Sequence, residues 1–548
     1  MRLLTLYCIE GLVLTVISPA EQRQDFGASW TSLVLPYLAV VVSSLAIVVN
    51  SPRYYPPVAV LVNTIGMVCA AIACFHLLLA FFYRKPVLRD LIVFQFVASF
   101  GAYAWLKFAV YDVVPPMFFL PLWFTITGVI VVGTMQQKDP KRIKSIVLGC
   151  ATFCSILCAI QIATMAPLIV SDTMTVAELT PDVPQAEVAS LDTESRPDIY
   201  YIVLDAYGRQ DVLLDLYGHD NGPFVEQLRQ RGFGVGDDSR SNYFFTELSL
   251  AATLNMKYLH DLSLEKYSTA QATKQLIKRG RVIQLLDKIG YETVALPTGK
   301  DTTECTEFDR YLKTDWAMSD YQTGLFYITP IPDLLFPVDK WIWTPTDGFR
   351  DRVSSTLSTL ENVPTNGDQP KFVFSHILSP HPPFVFDAEG NSRNIYGRNL
   401  LDDGHRFTML YDEGTSIYID AYRQQVTHLN QRLLQLVDSI QENSNGEAVI
   451  ILQADHGPRL WATSSDIPND LSETFGILNA VYVPKKYGKY QPPVSSVNTF
   501  RALFNHCFGT NYELKDDRSY AEGERFDFAD VTKRARGGKK VTNVSDER

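Results

Sequence analysis

Ile199-Tyr-Tyr-Ile-Val-Leu-Asp205 and Val449-Ile-Ile-Leu-Gln-Ala-Asp-His456-Gly457 are the stretches that decide the fold. Each is an apolar run rich in β-branched residues, short enough for one strand and closed by polar turn residues. Such runs read as strands of a parallel sheet buried on both faces. In open α/β sheets ligands gather just beyond the carboxyl ends of the strands, so Asp205, Asp455 and His456 are expected to share one site. Two carboxylates and an imidazole make a nest for one divalent cation, Mn²⁺, Zn²⁺, Mg²⁺ or Ca²⁺, and a cation there points to phosphate or sulfate ester chemistry.

Around these two runs, strand and helix patterns alternate. Helical spacing predicts helices over 224–231, 246–258, 274–289 (closed by Gly290) and 418–440. Apolar runs predict further strands over Thr293–Leu296, Lys371–Leu378 and Gly476–Val483. Alternation with short Gly/Pro turns implies a mixed, mostly parallel sheet covered by helices on both faces.

A mean hydropathy near zero hides two unlike parts. Five segments before Ser171 are long and apolar enough to span a bilayer: Trp30–Val49, Val58–Tyr83, Leu91–Val110, Met117–Met135 and Ile146–Val170. Leu3–Ile17 is shorter, carries Glu10 and is a possible sixth span. Arg84, Lys85 and Arg89 in one short loop, and Lys138, Lys141, Arg142 and Lys144 in another, fall on the same side by parity. The positive-inside rule makes that side cytoplasmic and sends everything after Val170 outside, as a multi-pass plasma or inner membrane protein with an extracytoplasmic domain. The expected division of the 548 residues is a transmembrane helical bundle over 1–170, a Thr/Ala/Pro/Glu-rich linker over 171–196, an α/β catalytic domain over 197–515 and a partly disordered tail over 516–548.

A net charge of −11 leaves no basic stripe for nucleic acid. Cys8, Cys69, Cys74, Cys150, Cys154 and Cys158 lie in apolar segments and read as packing residues, which leaves Cys305 and Cys507 in the exported part, where an oxidising compartment permits pairing.

Ester transfer also needs a nucleophile. In Ser241-Asn-Tyr-Phe-Phe-Thr246-Glu-Leu-Ser-Leu-Ala-Ala-Thr-Leu-Asn255 an irregular run turns into a helix at Thr246. A hydroxyl there meets the positive end of the helix dipole and free backbone N–H groups, which favour an alkoxide and a bound anion. The blander account is a threonine N-cap, and Ser249 is the nearest rival nucleophile. Asn242 in the same segment is a candidate substrate contact. Phe374-Ser-His-Ile-Leu-Ser-Pro-His-Pro-Pro-Phe384 places His376 at a strand end and His381 in a proline-fixed turn. Both suit phosphoryl contact, and His381 also suits protonation of a leaving group.

Asp205 after an apolar strand, a Thr-led helix, a Pro-His-x-Pro turn and a later Asp-His-Gly together resemble the sulfatase and alkaline phosphatase superfamily. More narrowly they resemble its membrane-anchored branch, which includes lipoteichoic acid synthases and lipid A phosphoethanolamine transferases. The resemblance implies that Asp205, Asp455, His456 and Thr246 are metal ligands, that Thr246 is also the nucleophile, and that His381 contacts the phosphate or leaving oxygen. Gly290-Tyr-Glu-Thr293 followed by Gly299-Lys300 is similar to a sulfatase segment that supplies a substrate lysine, at longer spacing. The sulfatase Cys-x-Pro-x-Arg precursor of formylglycine is missing around both Cys305 and Cys507, which argues against formylglycine chemistry. After His456 the remaining histidine is His506, so a second-metal ligand set is incomplete and one cation is expected.

The expected function is therefore transfer of a phosphoglycerol- or phosphoethanolamine-type group from a membrane lipid donor to an envelope glycan or lipid acceptor through phospho-threonine. A hydrolase with water as acceptor uses the same residues. A non-catalytic membrane scaffold is the alternative from another class.

Overall fold

The computed structural model describes residues 22–50, 58–82, 86–109, 119–136, 139–262, 264, 269–313, 318–327, 329–335, 345–364, 369–395, 403–408, 413–461, 471–522 and 527–536. The chain divides into two compact units, Met1–Leu168 with Leu325–Pro337, and Ile169–Gly324 with Val338–Arg548.

The first unit holds helices Gln22–Asn50, Val58–Phe82, Pro86–Ala109 and Phe119–Gln136, followed by the start of Pro140–Leu179. Among the described residues three stretches are long and apolar enough to cross a membrane: Val60–Phe81, Phe119–Gln136 and Lys141–Thr164. The other two expected spans lie on Gln22–Asn50, whose apolar stretch is the shorter Trp30–Ala46, and on Pro86–Ala109. The possible sixth, Leu3–Ile17, lies outside the described residues. Within this apolar unit Asp90 is buried and gathers three partners. Ser32 Oγ donates to it at 2.7 Å, His76 Nε2 lies 2.8 Å away and Arg89 Nη2 3.2 Å away. Charged groups among apolar helices pair in this way because no water is at hand.

Among the described residues the second unit has eleven strands, the first nine being β1 (Ile199–Leu204), β2 (Gly234–Val235), β3 (Glu292–Ala295), β4 (Arg310–Tyr311), β5 (Lys371–Ile377), β6 (Phe384–Phe386), β7 (Ser392–Ile395), β8 (Val449–Ala454) and β9 (Asn479–Tyr482). Seven of them form one sheet in the order β2-β9-β8-β1-β5-β3-β4, in which β9 runs against its neighbours β8 and β2 and the other pairings are parallel. β6 and β7 form a separate hairpin. Every residue of β1, β5 and β8 is buried. That requires cover on both faces, which the uninterrupted apolar runs anticipate. One face packs Ile199, Tyr201, Val203, Phe372, Phe374 and Ile451 under helices Thr246–Asn255, Thr269–Lys278, Arg281–Lys288 and Thr499–Cys507. On the other, helices Pro345–Glu361 and Gly414–Asn443 pack together, the former against β5.

One expectation is corrected. The helix expected over 274–289 is two, Thr269–Lys278 and Arg281–Lys288. Gly280 turns between them where a Cβ would sit 2.9 Å from the Leu254 carbonyl oxygen, and Asn255 Oδ1 accepts the Arg281 N–H at 3.2 Å. Packing against helix Thr246–Asn255 thus overrides helical periodicity. The expected linker over 171–196 is partly helical, through Pro140–Leu179 and Gln185–Val188, and buries Leu179, Val183, Val188 and Leu191 in the domain core. The expected tail contains a two-stranded ribbon, β10 (Tyr520–Glu522) with β11 (Phe528–Asp530), and a helix Thr532–Arg536. Tyr520 stacks on Tyr243 with ring centroids 5.9 Å apart, and its N–H donates to the Asn242 carbonyl at 2.8 Å. The ribbon therefore props the segment that leads into Thr246. Cys305 and Cys507 are both buried and unbridged.

Candidate active site

Sheet register brings the distant motifs together. Leu204, the last residue of β1, is aligned with Ile377 of β5 on one side and Ala454 of β8 on the other. Asp205 and the Asp455-His456 pair therefore leave adjacent central strands at the same level, and His376 sits beside Val203. Just past Asp205, Ala206 adopts the left-handed conformation at φ 62°, unusual for a residue with a Cβ. Its N–H donates to Asp455 Oδ1 at 3.1 Å and its carbonyl accepts the Tyr422 hydroxyl at 2.8 Å.

Asp455 Oδ1 also accepts the His456 N–H at 2.8 Å, so its other oxygen is the one left to face the site. His456 Nδ1 donates to the Gly457 carbonyl at 2.8 Å, leaving Nε2 with its lone pair directed inward. That nitrogen lies 3.5 Å from Asp205 Oδ1 and 3.6 Å from Asp455 Oδ2, and ligand atoms of the three residues fall within 4.8 Å of one another. His376 Nε2 completes the cluster, 3.4 Å from Asp205 Oδ2 and 3.9 Å from Asp455 Oδ2, with its Nδ1 3.0 Å from Thr303 Oγ1.

The residues fit a dication. Asp205 Oδ1, Asp455 Oδ2 and His376 Nε2 are buried without a hydrogen-bond partner. Orphaned polar atoms of this kind are rare in folded proteins, and a cation accounts for all three together. Burial alone would raise the Asp205 carboxyl, yet His381, the nearby His376 ring and the charge of Lys300 hold it well below the usual carboxylate range. Burial pushes His456 down from the ordinary imidazole value. An ionised carboxylate beside a neutral imidazole is the protonation state that ligation needs.

Gly457 is required by space. A Cβ there would lie 1.9 Å from the Glu473 carbonyl oxygen, a backbone atom that cannot swing aside. Gly457→Ala is expected to destabilise the domain by about 3 kcal/mol, the upper end for overpacking, and to displace His456. Thermal unfolding together with metal content after dialysis checks both effects.

Thr246 is the first residue of helix Thr246–Asn255, and Phe245 occupies the N-cap position. The threonine side chain therefore does not serve as the cap. Its Oγ1 lies 3.4 Å from His456 Nε2, and the residue is 2% exposed. Ser249 lies buried further along the same helix.

The turn that carries His381 is clamped from above by Gln425 of helix Gly414–Asn443. Its Nε2 is 3.3 Å from the carbonyls of Pro380, His381 and Pro383, and its Oε1 accepts the Val385 N–H at 2.7 Å. The His381 N–H donates to the Asp205 carbonyl at 3.0 Å, which ties this turn to the β1 exit. His381 Nδ1 donates to the Pro382 carbonyl at 2.6 Å, so Nε2 is the nitrogen available for other chemistry. Lys300 Nζ lies 3.8 Å from Glu247 Oε2, beside Thr246. Asn242 is the one candidate drawn away from the cluster. Its Nδ2 donates to the Arg518 carbonyl at 2.7 Å and its Oδ1 accepts the Val497 N–H at 2.7 Å, so its amide pins loops together instead of facing a ligand.

Two residues go unnoticed in the sequence. Asp403 Oδ2 is 3.7 Å from His381 Nε2 and accepts Arg459 Nε at 3.2 Å, while its Oδ1 accepts the Tyr418 hydroxyl at 2.5 Å. Burial would raise this carboxyl, but His381, Arg459 and the Tyr418 hydrogen bond hold it below the usual range. Arg459 stands three residues after His456, and that adjacency was the available signal. Asp403 lies in a polar loop with no periodicity.

The sulfatase family model matches residues 197–507, and no curated protein matches the chain. Among solved structures the chain is similar to the periplasmic domain of EcEptC from Escherichia coli in complex with Zn, at 11% identity and TM-score 0.42, covering 62% of this chain and 94% of that one. It is also similar to the soluble domain of lipooligosaccharide phosphoethanolamine transferase A from Neisseria meningitidis, at 12% identity and TM-score 0.37, covering 56% and 86%. A third is the phosphonate monoester hydrolase of Agrobacterium radiobacter, at 14% identity and TM-score 0.38, covering 62% and 82%. With more than half of its length matched by the family model, the chain belongs to the sulfatase family and is an enzyme of phosphate or sulfate esters.

Proposed function

We propose that the protein is a membrane-tethered, metal-dependent transferase that moves a phospho-substituent, of phosphoglycerol or phosphoethanolamine type, from a membrane lipid to an envelope glycan or lipid through phospho-threonine at Thr246. The observation that carries the reading is the Thr246 hydroxyl, at a helix N-terminus and 3.4 Å from the inward nitrogen of His456, beside two carboxylates with unpartnered oxygens. Asp205, Asp455, His456 and Thr246 would hold one dication, with His376 directed at the same carboxylates. A dication there supplies positive charge that lowers the pKa of the Thr246 hydroxyl.

Thr246 Oγ, having lost its proton to solvent, forms a bond to phosphorus as the bond from phosphorus to the donor alcohol oxygen breaks. His381, presented through Nε2, gives that oxygen its proton. In the second half the acceptor hydroxyl returns a proton to His381 and attacks phosphorus, releasing the Thr246 oxygen as it began. Tethering next to apolar helices raises the effective concentration of the site towards a lipid donor. An extracytoplasmic site agrees with the basic loops before the last apolar helix.

The test is mass spectrometry of protein incubated with a labelled phospholipid, with and without an acceptor glycan. A phosphorylated adduct on Thr246 that is discharged onto the glycan supports transfer. Release of free phospho-alcohol with no labelled glycan would show water to be the acceptor, and the absence of any adduct would refute the threonine route.

A further inference from the structure

We propose that Arg459 is the anion clamp of this site, gripping two non-bridging oxygens of the transferred phosphoryl group, with Asp403 and Phe245 as its positioning residues. The inference rests on the reading of the site as a phosphoryl-transfer centre and adds the group that receives the substrate's charge.

The argument starts from how this arginine is bonded. Several arginines of this domain meet a carboxylate with two nitrogens, and Arg229, Arg393 and Arg432 meet theirs with a terminal nitrogen. Arg231 reaches Asp438 through Nε and Nη2 at 2.6 and 2.9 Å, and Arg209 reaches Asp211 at 2.6 and 2.8 Å. Arg459 gives Asp403 its Nε alone, at 3.2 Å. Both terminal nitrogens make no hydrogen bond among the described residues, although the side chain is only 19% exposed. A guanidinium held by its inner nitrogen presents its outer two as a fork, the geometry that matches two oxygens of a phosphate.

Its placement is also fixed. The Arg459 guanidinium carbon lies 5.4 Å from the ring centroid of Phe245, the N-cap residue of the helix that begins with Thr246. The cation is thus stacked at the end of the helix where an anion is favoured. Behind it, buried Glu473 accepts the N–H groups of Leu460 and Trp461, each at 3.1 Å, and so secures the backbone that carries the arginine. Lys300 has a carboxylate neighbour of its own, Glu247, whereas His381 shares Asp403 with Arg459. Asp403 keeps its remaining oxygen on Tyr418, so it aims the guanidinium without covering its fork.

The test uses the full-length protein in detergent, loaded with Mn²⁺ or Zn²⁺, and inorganic phosphate as the probe in titration calorimetry. Arg459→Gln is expected to weaken phosphate binding by at least about tenfold with metal content unchanged. Arg459→Lys, which keeps charge but loses the fork, should fall between the two. Added guanidinium ion should restore part of the binding and turnover of Arg459→Ala, a response that a purely structural arginine would not give. Wild-type protein that binds phosphate, with Arg459→Gln binding it equally well, would overturn the clamp and leave the phosphoryl-transfer reading intact. Wild-type protein that takes up metal but no phosphate would bring down both. Should Arg459→Gln fail to fold, the Lys variant and Asp403→Asn decide: unchanged phosphate affinity in both would refute the assignment.

Discussion

Thr246→Ala is expected to lower turnover by about three orders of magnitude or more and to abolish any covalent phospho-adduct, while the domain stays folded. The hydroxyl sits among buried groups, but Phe245 holds the N-cap position, so removing it does not undo the cap. The stability change should stay near 1 kcal/mol, as for most single substitutions. Thr246→Ser keeps the oxygen and should retain a measurable rate. Steady-state assays with a labelled lipid, read beside thermal unfolding, separate the effects. Full activity in Thr246→Ala would remove the nucleophile from the mechanism, and Ser249 would then be the residue to replace.

The second large effect concerns the cation. Because the carboxylates and imidazole converge only in the folded sheet, a metal at a hundred times its dissociation constant should stabilise the domain by about 2.7 kcal/mol. For a domain of this size that corresponds to a rise in Tm of roughly 3–5 °C. Chelation should reverse the rise and stop turnover. Asp205→Asn and Asp455→Asn each remove an anionic ligand, so their unfolding curves should scarcely respond to added metal. A metal-dependent shift of wild-type size in both variants would place the ion elsewhere.

Much of this site can be read from sequence because its residues end buried strands. An apolar run closed by Asp delivers that Asp to the carboxyl end of its buried strand, and register then aligns Asp205 with Asp455 and His456. Thr246 was legible because helix onset shows in local composition. Asp403 was not, since its meeting with His381 and Arg459 is fixed by the path of a polar loop and by Tyr418 on a distant helix. The break at Gly280 was hidden for a similar reason, as the atoms that forbid a continuous helix belong to Leu254 and Asn255. Asn242 misled because a polar residue near a candidate nucleophile looks the same whether it faces a ligand or, as here, the backbone of Val497 and Arg518.

Asp90 has a consequence for the apolar unit. Helices that meet through apolar side chains alone can turn about their long axes with little loss, because one apolar contact replaces another. A single carboxylate shared by Ser32 on one helix and His76 on another abolishes that freedom. Rotation of any of the three would strand a charge or a polar group among apolar side chains, so one residue sets which way three helices face.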